Sequence, residues 1–329
     1  MQTLHHSHRP RRLKTLCLVS GLTIALLISV IYTTKAEAGL RVITTIAQIA
    51  EPLRTIVGNH AAVESLLGEG VDPHLYRPSR SDIMRLTKAD VVFWNGLHLE
   101  SQLQDALERL SKVKTVVSIS DTLTKEKLLP FDNAGLDPHI WMDPSLWRTA
   151  LAHAVSVLTA LDRTNAPAFE RNARTYFTRL AALETYTERA IASIPAEARI
   201  LVTAHDAFGY FGARFGIEVM GIQGISTDSE AGLKKIETMV DALVTRGVPA
   251  VFTETSVSER NIRALIEGSA ARGHMVKLGG NLFSDAMGQP GTYLGTYVGM
   301  IDHNVTTITR ALGGDAPKSG LNGKLDHDG

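Results

Sequence analysis

The stretch PAFERNARTYFTRLAALETYTERAIASI, residues 167–194, decides how this chain is organised. It contains no glycine and no proline after Pro167, and it is rich in alanine, arginine, leucine and glutamate, which are good helix formers. Pro167 suits a first helical turn, and Pro195 ends the segment. A continuous helix of this length extends for roughly 40 Å. The sequence therefore predicts one long linking helix over residues 166–195, between two halves of the chain.

On both sides of this segment, short β-branched runs alternate with helical stretches. In the first half, residues 39–165, strands are predicted near Arg41–Ile46, Ala62–Leu66, Asp90–Trp94 and Thr115–Ile119. In the second half, residues 196–313, they are predicted near Arg199–Thr203, Ile217–Gly221, Ala250–Thr253 and Met275–Leu278. Strands that alternate with helices are typical of parallel sheets covered by helices. We therefore predict an α/β fold with two lobes, each with a parallel sheet covered by helices, joined by one long backbone α-helix.

The two ends of the chain differ in composition from its interior. Four basic residues between Arg9 and Lys14 precede an uncharged run over residues 15–34, and the small-residue site Ala36-Glu37-Ala38 follows. This is the pattern of a cleavable signal peptide over residues 1–38, which predicts a periplasmic protein. The uncharged run is also just long enough to span a bilayer, so an uncleaved membrane anchor remains the alternative. At the other end, residues 314–329 have little apolar content and are predicted to be disordered.

Charge and cysteine usage limit the classes of function. The whole chain has 34 basic and 34 acidic residues, and loss of residues 1–38 would remove five basic residues and one acidic residue. The mature chain would be mildly acidic, with no basic field to attract nucleic acid. The single cysteine, Cys17, precedes most of the apolar run, so we do not expect it to carry a lipid. A metal site in the mature chain must then use histidines and carboxylates.

Three of the twelve histidines and one aspartate lie where predicted strands end or in the loops that follow them. His74 and His139 each lie in an Asp-Pro-His sequence after the strands of the first half, and His205 ends an apolar strand of the second half. Asp285 follows the last predicted strand. Ligands of open α/β sheets bind beyond the carboxyl ends of the strands, so a cleft between two lobes would bring these four residues together. Three imidazoles and one carboxylate suit zinc, and also manganese or iron if the carboxylate is bidentate.

The other histidines have ordinary explanations. His98 follows a strand and a glycine turn and could line a cleft as an outer partner of a metal site. The remaining ones outside the signal peptide are expected to cap, pack or lie on the surface: His60, His153, His274, His303 and His327.

The sequence has no Walker A loop, no Gly-x-Gly-x-x-Gly after a strand, no Gly-x-Ser-x-Gly and no His-Glu-x-x-His. The absence of these motifs removes the enzyme classes that are easiest to recognise, but it does not exclude an enzyme. Two other functions stay open. A secreted zinc-dependent hydrolase would need a general base, for which Glu254 at a predicted strand end is the one candidate. A receptor or adhesin for a non-metal ligand would place its specificity outside the four residues.

Several segments resemble the metal-specific substrate-binding proteins of ABC importers, the family that includes TroA, ZnuA and the manganese-binding lipoproteins. They are DPHLYRPSRSD (72–82), ADVVFWNGLHLE (89–100), DPHIWMDP (137–144), TAHDAFGYF (203–211), FTETSVSERNI (252–262), LFSDAMG (282–288) and GTYVGMIDHNV (295–305). The resemblance implies that His74, His139, His205 and Asp285 bind zinc or manganese between two lobes, as transported ligand and not for catalysis. It also implies a membrane permease as partner and a monomeric state. The resemblance is closest to the TroA-like group. Segment 121–136 has no histidine, whereas zinc scavengers of the family often carry a His-rich loop there, which weakens the interpretation as a dedicated zinc-binding protein.

Overall fold

A computed structural model of the chain describes Gln2 and residues 39–131 and 135–325. The residues from Gly39 onward form one compact unit. The predicted signal peptide, apart from Gln2, and residues 326–329 of the predicted disordered tail lie outside the described residues. Among the helices in the described ranges, none is both long enough and apolar enough to cross a bilayer.

The first lobe contains a four-stranded parallel sheet with the strand order β2-β1-β3-β4. Its elements are β1 (Leu40–Thr44), α1 (Ala47–Val57), β2 (Ala61–Ser65), α2 (Arg80–Lys88), β3 (Val91–Trp94), α3 (Gln104–Ser111) and β4 (Thr115–Ser118). The two-residue strands β5 (Pro130–Phe131) and β6 (Gly135–Leu136) then form a small antiparallel hairpin, and α4 (Pro144–Leu161) leads out of the lobe.

The long helix α5 (Ala166–Ala192) lies where the sequence predicts it, with Pro167 in its first turn. Its buried residues recur every three or four positions, as Phe169, Ala173, Tyr176 and Leu180 do. This apolar face packs against α4, against α1 of the first lobe and against the last helix of the second lobe. One helix therefore supports both lobes.

The second lobe has two pairs of parallel strands. Its elements are β7 (Ile200–His205), α6 (Gly209–Phe215), β8 (Glu218–Gln223), α7 (Leu233–Arg246), β9 (Ala250–Glu254), α8 (Arg260–Ala271), β10 (Lys277–Leu282) and α9 (Tyr297–Ala311). β7 pairs with β8, β9 pairs with β10, and β7 packs beside β9. The predicted fold class, with two α/β lobes and one long helix, is confirmed.

The described part of the tail differs from the expected disorder. The backbone N–H of Gly314 donates to the carbonyl of Thr309 at 2.8 Å, and that of Leu321 donates to Asp302 Oδ1 at 2.8 Å. Ala316 and Leu325 are buried. Composition alone missed this packing because a few apolar side chains and backbone hydrogen bonds are enough to hold residues 314–325 on the end of α9.

Candidate metal centre

The four candidate ligands lie at the end of a strand or in loops that follow strands. His205 is the last residue of β7, and Asp285 lies three residues beyond the end of β10. His74 lies in the loop between β2 and α2, and His139 lies between the β5–β6 hairpin and α4. All four are buried, with between 0 and 3% of each residue exposed to solvent. The two lobes therefore contribute two residues each to one buried cluster.

In this cluster, imidazole nitrogens surround one carboxylate. Asp285 Oδ1 lies 3.3 Å from His139 Nε2, and Asp285 Oδ2 lies 3.3 Å from His205 Nε2 and 3.8 Å from His74 Nε2. The Nε2 atoms of His74 and His139 are 3.2 Å apart. One nitrogen or oxygen from each of the four residues lies within 4.8 Å of every other. This spacing is suitable for a single metal ion bound by all four side chains.

Two of the imidazoles are oriented by carboxylates on their far side. His139 Nδ1 lies 2.7 Å from Asp137 Oδ1, and His205 Nδ1 lies 2.5 Å from Glu254 Oε2. The other oxygen of Glu254 accepts the backbone N–H of His205 at 2.8 Å. Such pairs fix the ring orientation and leave Nε2 pointing at the site, as is usual for histidines that bind metals. Glu254 is fully engaged with His205 in this arrangement.

The loop that carries Asp285 is held by the first lobe. Gln48 Nε2 donates to the carbonyl of Asp285 at 2.9 Å, and Trp141 Nε1 donates to the carbonyl of Ser284 at 3.0 Å. Tyr297 of α9 in turn donates its hydroxyl to the carbonyl of Trp141 at 2.7 Å. These buried hydrogen bonds join the lobes behind the site.

A buried glutamate supports the loop that carries His139. Glu100 accepts hydrogen bonds from the Thr45 hydroxyl at 2.6 Å and from the backbone N–H groups of Asn95 at 2.7 Å and Gly96 at 3.2 Å. The Asn95 side chain donates to the carbonyl of Pro138 at 2.9 Å, next to His139. The neighbouring His98 is exposed, so it lines no cleft at this site.

Sequence reasoning missed most of these supporting residues. Asp137 and Asp72 could have been found from the repeated Asp-Pro-His, because each aspartate accepts the backbone N–H of the histidine two residues later. Glu254 was noticed, but as a general base. Gln48 and Glu100 leave no local signal, since their partners are distant in sequence.

Carboxylates and burial shift the pKa values of the cluster in opposite directions. Burial lowers the pKa of His74 to about 4. For His139, burial favours the neutral ring, but Asp137 and Asp285 outweigh it and raise the pKa to about 9. For His205, the carboxylates of Glu254 and Asp285 likewise overcome burial and hold the pKa well above its usual value. Burial would raise the pKa of Asp285, yet the imidazolium groups of His205 and His139 keep it well below its usual value.

Several buried polar atoms of the cluster lack hydrogen-bond partners. Among the described residues, His205 Nε2 and both carboxylate oxygens of Asp285 are buried without one. A buried polar atom left unpaired costs about 1–3 kcal/mol, and here the unpaired atoms converge on one point. A bound cation would satisfy them. Because both oxygens of Asp285 face the imidazoles, the donor set allows four or five bonds, which fits zinc, manganese and iron.

The remaining histidines of the described chain lie elsewhere. His60 is exposed and His153 is partly buried. His274 Nε2 bonds the carbonyl of Val248, and His303 Nε2 bonds the carbonyl of Asn281, both at 2.9 Å. His327 lies outside the described residues.

We predict that Glu254→Gln weakens zinc binding by roughly 10–100-fold, the usual effect of losing an outer partner of a metal ligand. The amide keeps the size of the carboxylate but removes the charge that makes His205 a better donor. Competition against a chromophoric chelator measures the affinity. The matched control is Glu259→Gln, because Glu259 is exposed and paired with Arg263 on the surface. Equal affinities of the two variants would contradict a supporting role for Glu254.

Comparison with known proteins identifies the family of this chain. The family model described as the periplasmic component A of the zinc-uptake complex, ZnuA, matches residues 42–311. The manganese-binding lipoprotein MntA of Bacillus subtilis is 44% identical over 279 residues, which cover 84% of this chain and 91% of the relative. The iron-binding protein YfeA of Yersinia pestis is 28% identical over 277 residues, which cover 83% of this chain and 86% of the relative.

The zinc-binding protein TroA of Treponema pallidum is similar in both sequence and structure. Its sequence is 41% identical over 271 residues, which cover 82% of this chain and 88% of the relative. Its solved structure superposes with a TM-score of 0.82, over 83% of this chain and 99% of that chain. With this fold and a family match across most of its length, the chain belongs to the ZnuA/TroA family of metal-binding substrate-binding proteins of ABC importers.

Proposed function

We propose that this protein binds one divalent transition metal with His74, His139, His205 and Asp285, and delivers it to an ABC importer in the membrane. The observation that supports this proposal most is the convergence of three buried imidazoles and one buried carboxylate on one point, where His205 Nε2 and both oxygens of Asp285 have no hydrogen-bond partner. A bound cation would satisfy these buried polar atoms. Without one, the unpaired atoms lower the stability of the folded protein.

Zinc and manganese are the proposed cargo, and iron is compatible with the same donor set. The relatives MntA, TroA and YfeA are named for manganese, zinc and iron, respectively. Zinc has the highest intrinsic affinity of the three for a site of nitrogen and oxygen donors, so selection among them would depend on metal supply and on the importer.

The test of this function is elemental analysis of protein purified from its native compartment, followed by equilibrium dialysis against each metal. We expect one zinc, manganese or iron per chain. Protein that holds no stoichiometric metal by either method would instead favour a receptor or adhesin for a non-metal ligand.

We propose that the protein is not a hydrolase. Glu254 is buried and both of its oxygens contact His205, an arrangement that suits orienting this imidazole better than activating a water molecule. Assays of the zinc-loaded protein with generic ester and peptide substrates test this. Metal-dependent turnover that is lost in Glu254→Gln would establish an enzyme.

We propose that the chain is exported and that residues 1–38 are cleaved as a signal peptide. The relative MntA is named a lipoprotein, which supports attachment to the membrane more strongly than the sequence pattern alone does. In this chain, however, the single Cys17 lies inside the predicted signal. Mass spectrometry of the exported protein distinguishes the cases: a start near Gly39 supports cleavage, and a retained Arg9–Lys14 segment shows an anchor.

We propose that residues 39–165 and 196–313 act as two lobes of a monomer about the linking helix, residues 166–195. We predict that metal release changes the lobe geometry only slightly, because helix α5 is continuous and its interior residues are held by hydrogen bonds. Spin labels on each lobe, read with and without metal, measure this. An inter-lobe rotation of tens of degrees would contradict the prediction.

A further inference from the structure

A side-chain hydrogen bond joins the two lobes beside the metal site. Thr227 Oγ1 of the second lobe donates to Asp72 Oδ2 of the first lobe at 2.6 Å. Thr227 belongs to the segment 224–232, between β8 and α7, which has no regular helix or strand. We call this segment the β8–α7 loop. Because a loop has no backbone ladder to hold it, its position over the first lobe depends on contacts such as this one.

Asp72 connects the loop directly to a candidate ligand. Its other oxygen, Oδ1, accepts the backbone N–H of His74 at 2.8 Å. One carboxylate therefore holds the β8–α7 loop with one oxygen and the backbone of His74 with the other. A change in the position of the loop is transmitted to His74 through a single rigid group.

The residues next to this contact are exposed to solvent. Leu75, next to His74, is 51% exposed, and Asp228, next to Thr227, is also exposed. Trp141, two residues after His139, is by contrast fully buried and donates a hydrogen bond to the carbonyl of Ser284. The lobes are thus joined by a buried set of contacts, which we take as the back of the site, and by the Thr227–Asp72 contact, which has exposed neighbours.

We propose that the Thr227–Asp72 hydrogen bond is a latch that retains the bound metal by holding the β8–α7 loop and His74 in place across the two lobes. The proposal rests on metal binding at His74, His139, His205 and Asp285. Thr227 is a positioning residue, since it acts through Asp72 on His74. Escape of the metal past His74 requires the latch to open, so the latch controls the rate of metal dissociation. An importer that pulls on the β8–α7 loop would release the metal without having to separate the buried contacts behind the site.

The test is the rate at which zinc leaves the full mature chain. Zinc-loaded wild type, Thr227→Val and Thr227→Ser are each mixed with excess EDTA in a stopped-flow instrument. Valine keeps the shape of threonine without the hydroxyl, and serine keeps the hydroxyl. We expect dissociation from Thr227→Val to be roughly 10-fold or more faster, because a hydrogen bond to a charged acceptor is lost. Thr227→Ser should stay within about twofold of the wild type, because its hydroxyl can still donate to Asp72.

Thr238→Val is the matched control, because Thr238 lies exposed on α7 and its hydroxyl bonds only the carbonyl of Lys234 within the helix. A general loss of stability would speed dissociation in both valine variants and would not be rescued by serine. Wild-type dissociation rates in Thr227→Val would overturn the latch. If Thr227→Val does not fold, Asp72→Ala and Thr227→Ala decide: the latch requires each variant to speed dissociation, and Thr227→Ala to add no further effect to Asp72→Ala.

Failure of the latch and failure of the proposed function give different results. If the wild type binds no stoichiometric zinc, the proposed function fails before any rate is measured. If the wild type binds zinc and all the variants release it at the wild-type rate, only the latch is wrong.

Discussion

Asp285→Asn is expected to lower zinc affinity by more than roughly 100-fold. This exceeds the usual effect of losing a residue that only supports a metal ligand. The amide occupies the same space but has only one oxygen, which is neutral, whereas the carboxylate has two oxygens that share a negative charge. Both oxygens of Asp285 lie within 3.3 Å of an imidazole Nε2, so the change acts at the centre of the cluster. Competition titration with a chelator of known affinity measures the loss.

The same substitution has a second expected effect in the absence of metal. His139 and His205 have raised pKa values partly because of the Asp285 carboxylate. Without it the two buried imidazolium groups lose a shared counterion, and loss of one partner from a buried charged pair costs about 3–5 kcal/mol. Circular dichroism must therefore establish that the variant is folded at the titration temperature before its affinity is interpreted.

His153→Ala is the control for this prediction, since His153 lies on α4 and is not part of the cluster. It removes an imidazole of the chain and should leave zinc affinity unchanged. If folded Asp285→Asn bound zinc as tightly as His153→Ala does, the assignment of Asp285 as a ligand would be wrong.

The long helix and the two α/β lobes could be predicted because their determinants are local. Residues 167–194 contain no helix-breaking residue after the first turn, and the alternation of strands and helices is visible in short windows. The tail was predicted less well, since Ala316 and Leu325 are buried only in the folded chain, where Asp315 also bonds Ser193 across 122 positions.

The candidate ligands could be predicted for a similar reason. Ligands bind beyond the carboxyl ends of parallel strands, so a residue that ends or follows a predicted strand can be assigned to that edge of the sheet. The positions of His205 and Asp285 could be predicted in this way. The groups that support these residues could not. Gln48 contacts Asp285 across 237 positions of the chain and Thr227 contacts Asp72 across 155, and no local pattern encodes such pairs.

Zinc affinity is expected to fall steeply with acidity, by up to roughly 100-fold for each pH unit near neutrality. Metal binding needs neutral imidazoles. In the metal-free protein His139 has a pKa of about 9 and the pKa of His205 is raised well above its usual value, so both are protonated at pH 7. Each must release a proton when metal binds. His74, with a pKa of about 4, is already neutral and releases none.

The stability of the metal-free chain depends on pH in the opposite sense: it falls as the pH rises, whereas zinc affinity increases. A raised pKa of the folded state means that the stability contributed by His139 is fully present below about pH 6.5, its unfolded value, and is lost as the pH rises through about 9. The metal-free protein should therefore unfold more readily at pH 9.5 than at pH 6.5. Over the same range the metal-bound form should become relatively more stable, because proton competition for the site disappears.

Two measurements distinguish histidine ligands with raised pKa values from histidine ligands with the reference pKa. Imidazoles with the reference pKa of about 6.5 would give affinities that no longer change between pH 7.5 and pH 8.5, whereas His139 and His205 predict a continued steep rise across that interval. Calorimetric titrations in buffers of different ionisation enthalpy count the protons released at pH 7.5, and about two per zinc are expected. Glu254→Gln should reduce this number, because it removes the carboxylate that keeps His205 protonated. A flat affinity between pH 7.5 and pH 8.5 together with no proton release would show that His139 and His205 are already neutral in the metal-free protein, and would contradict their raised pKa values.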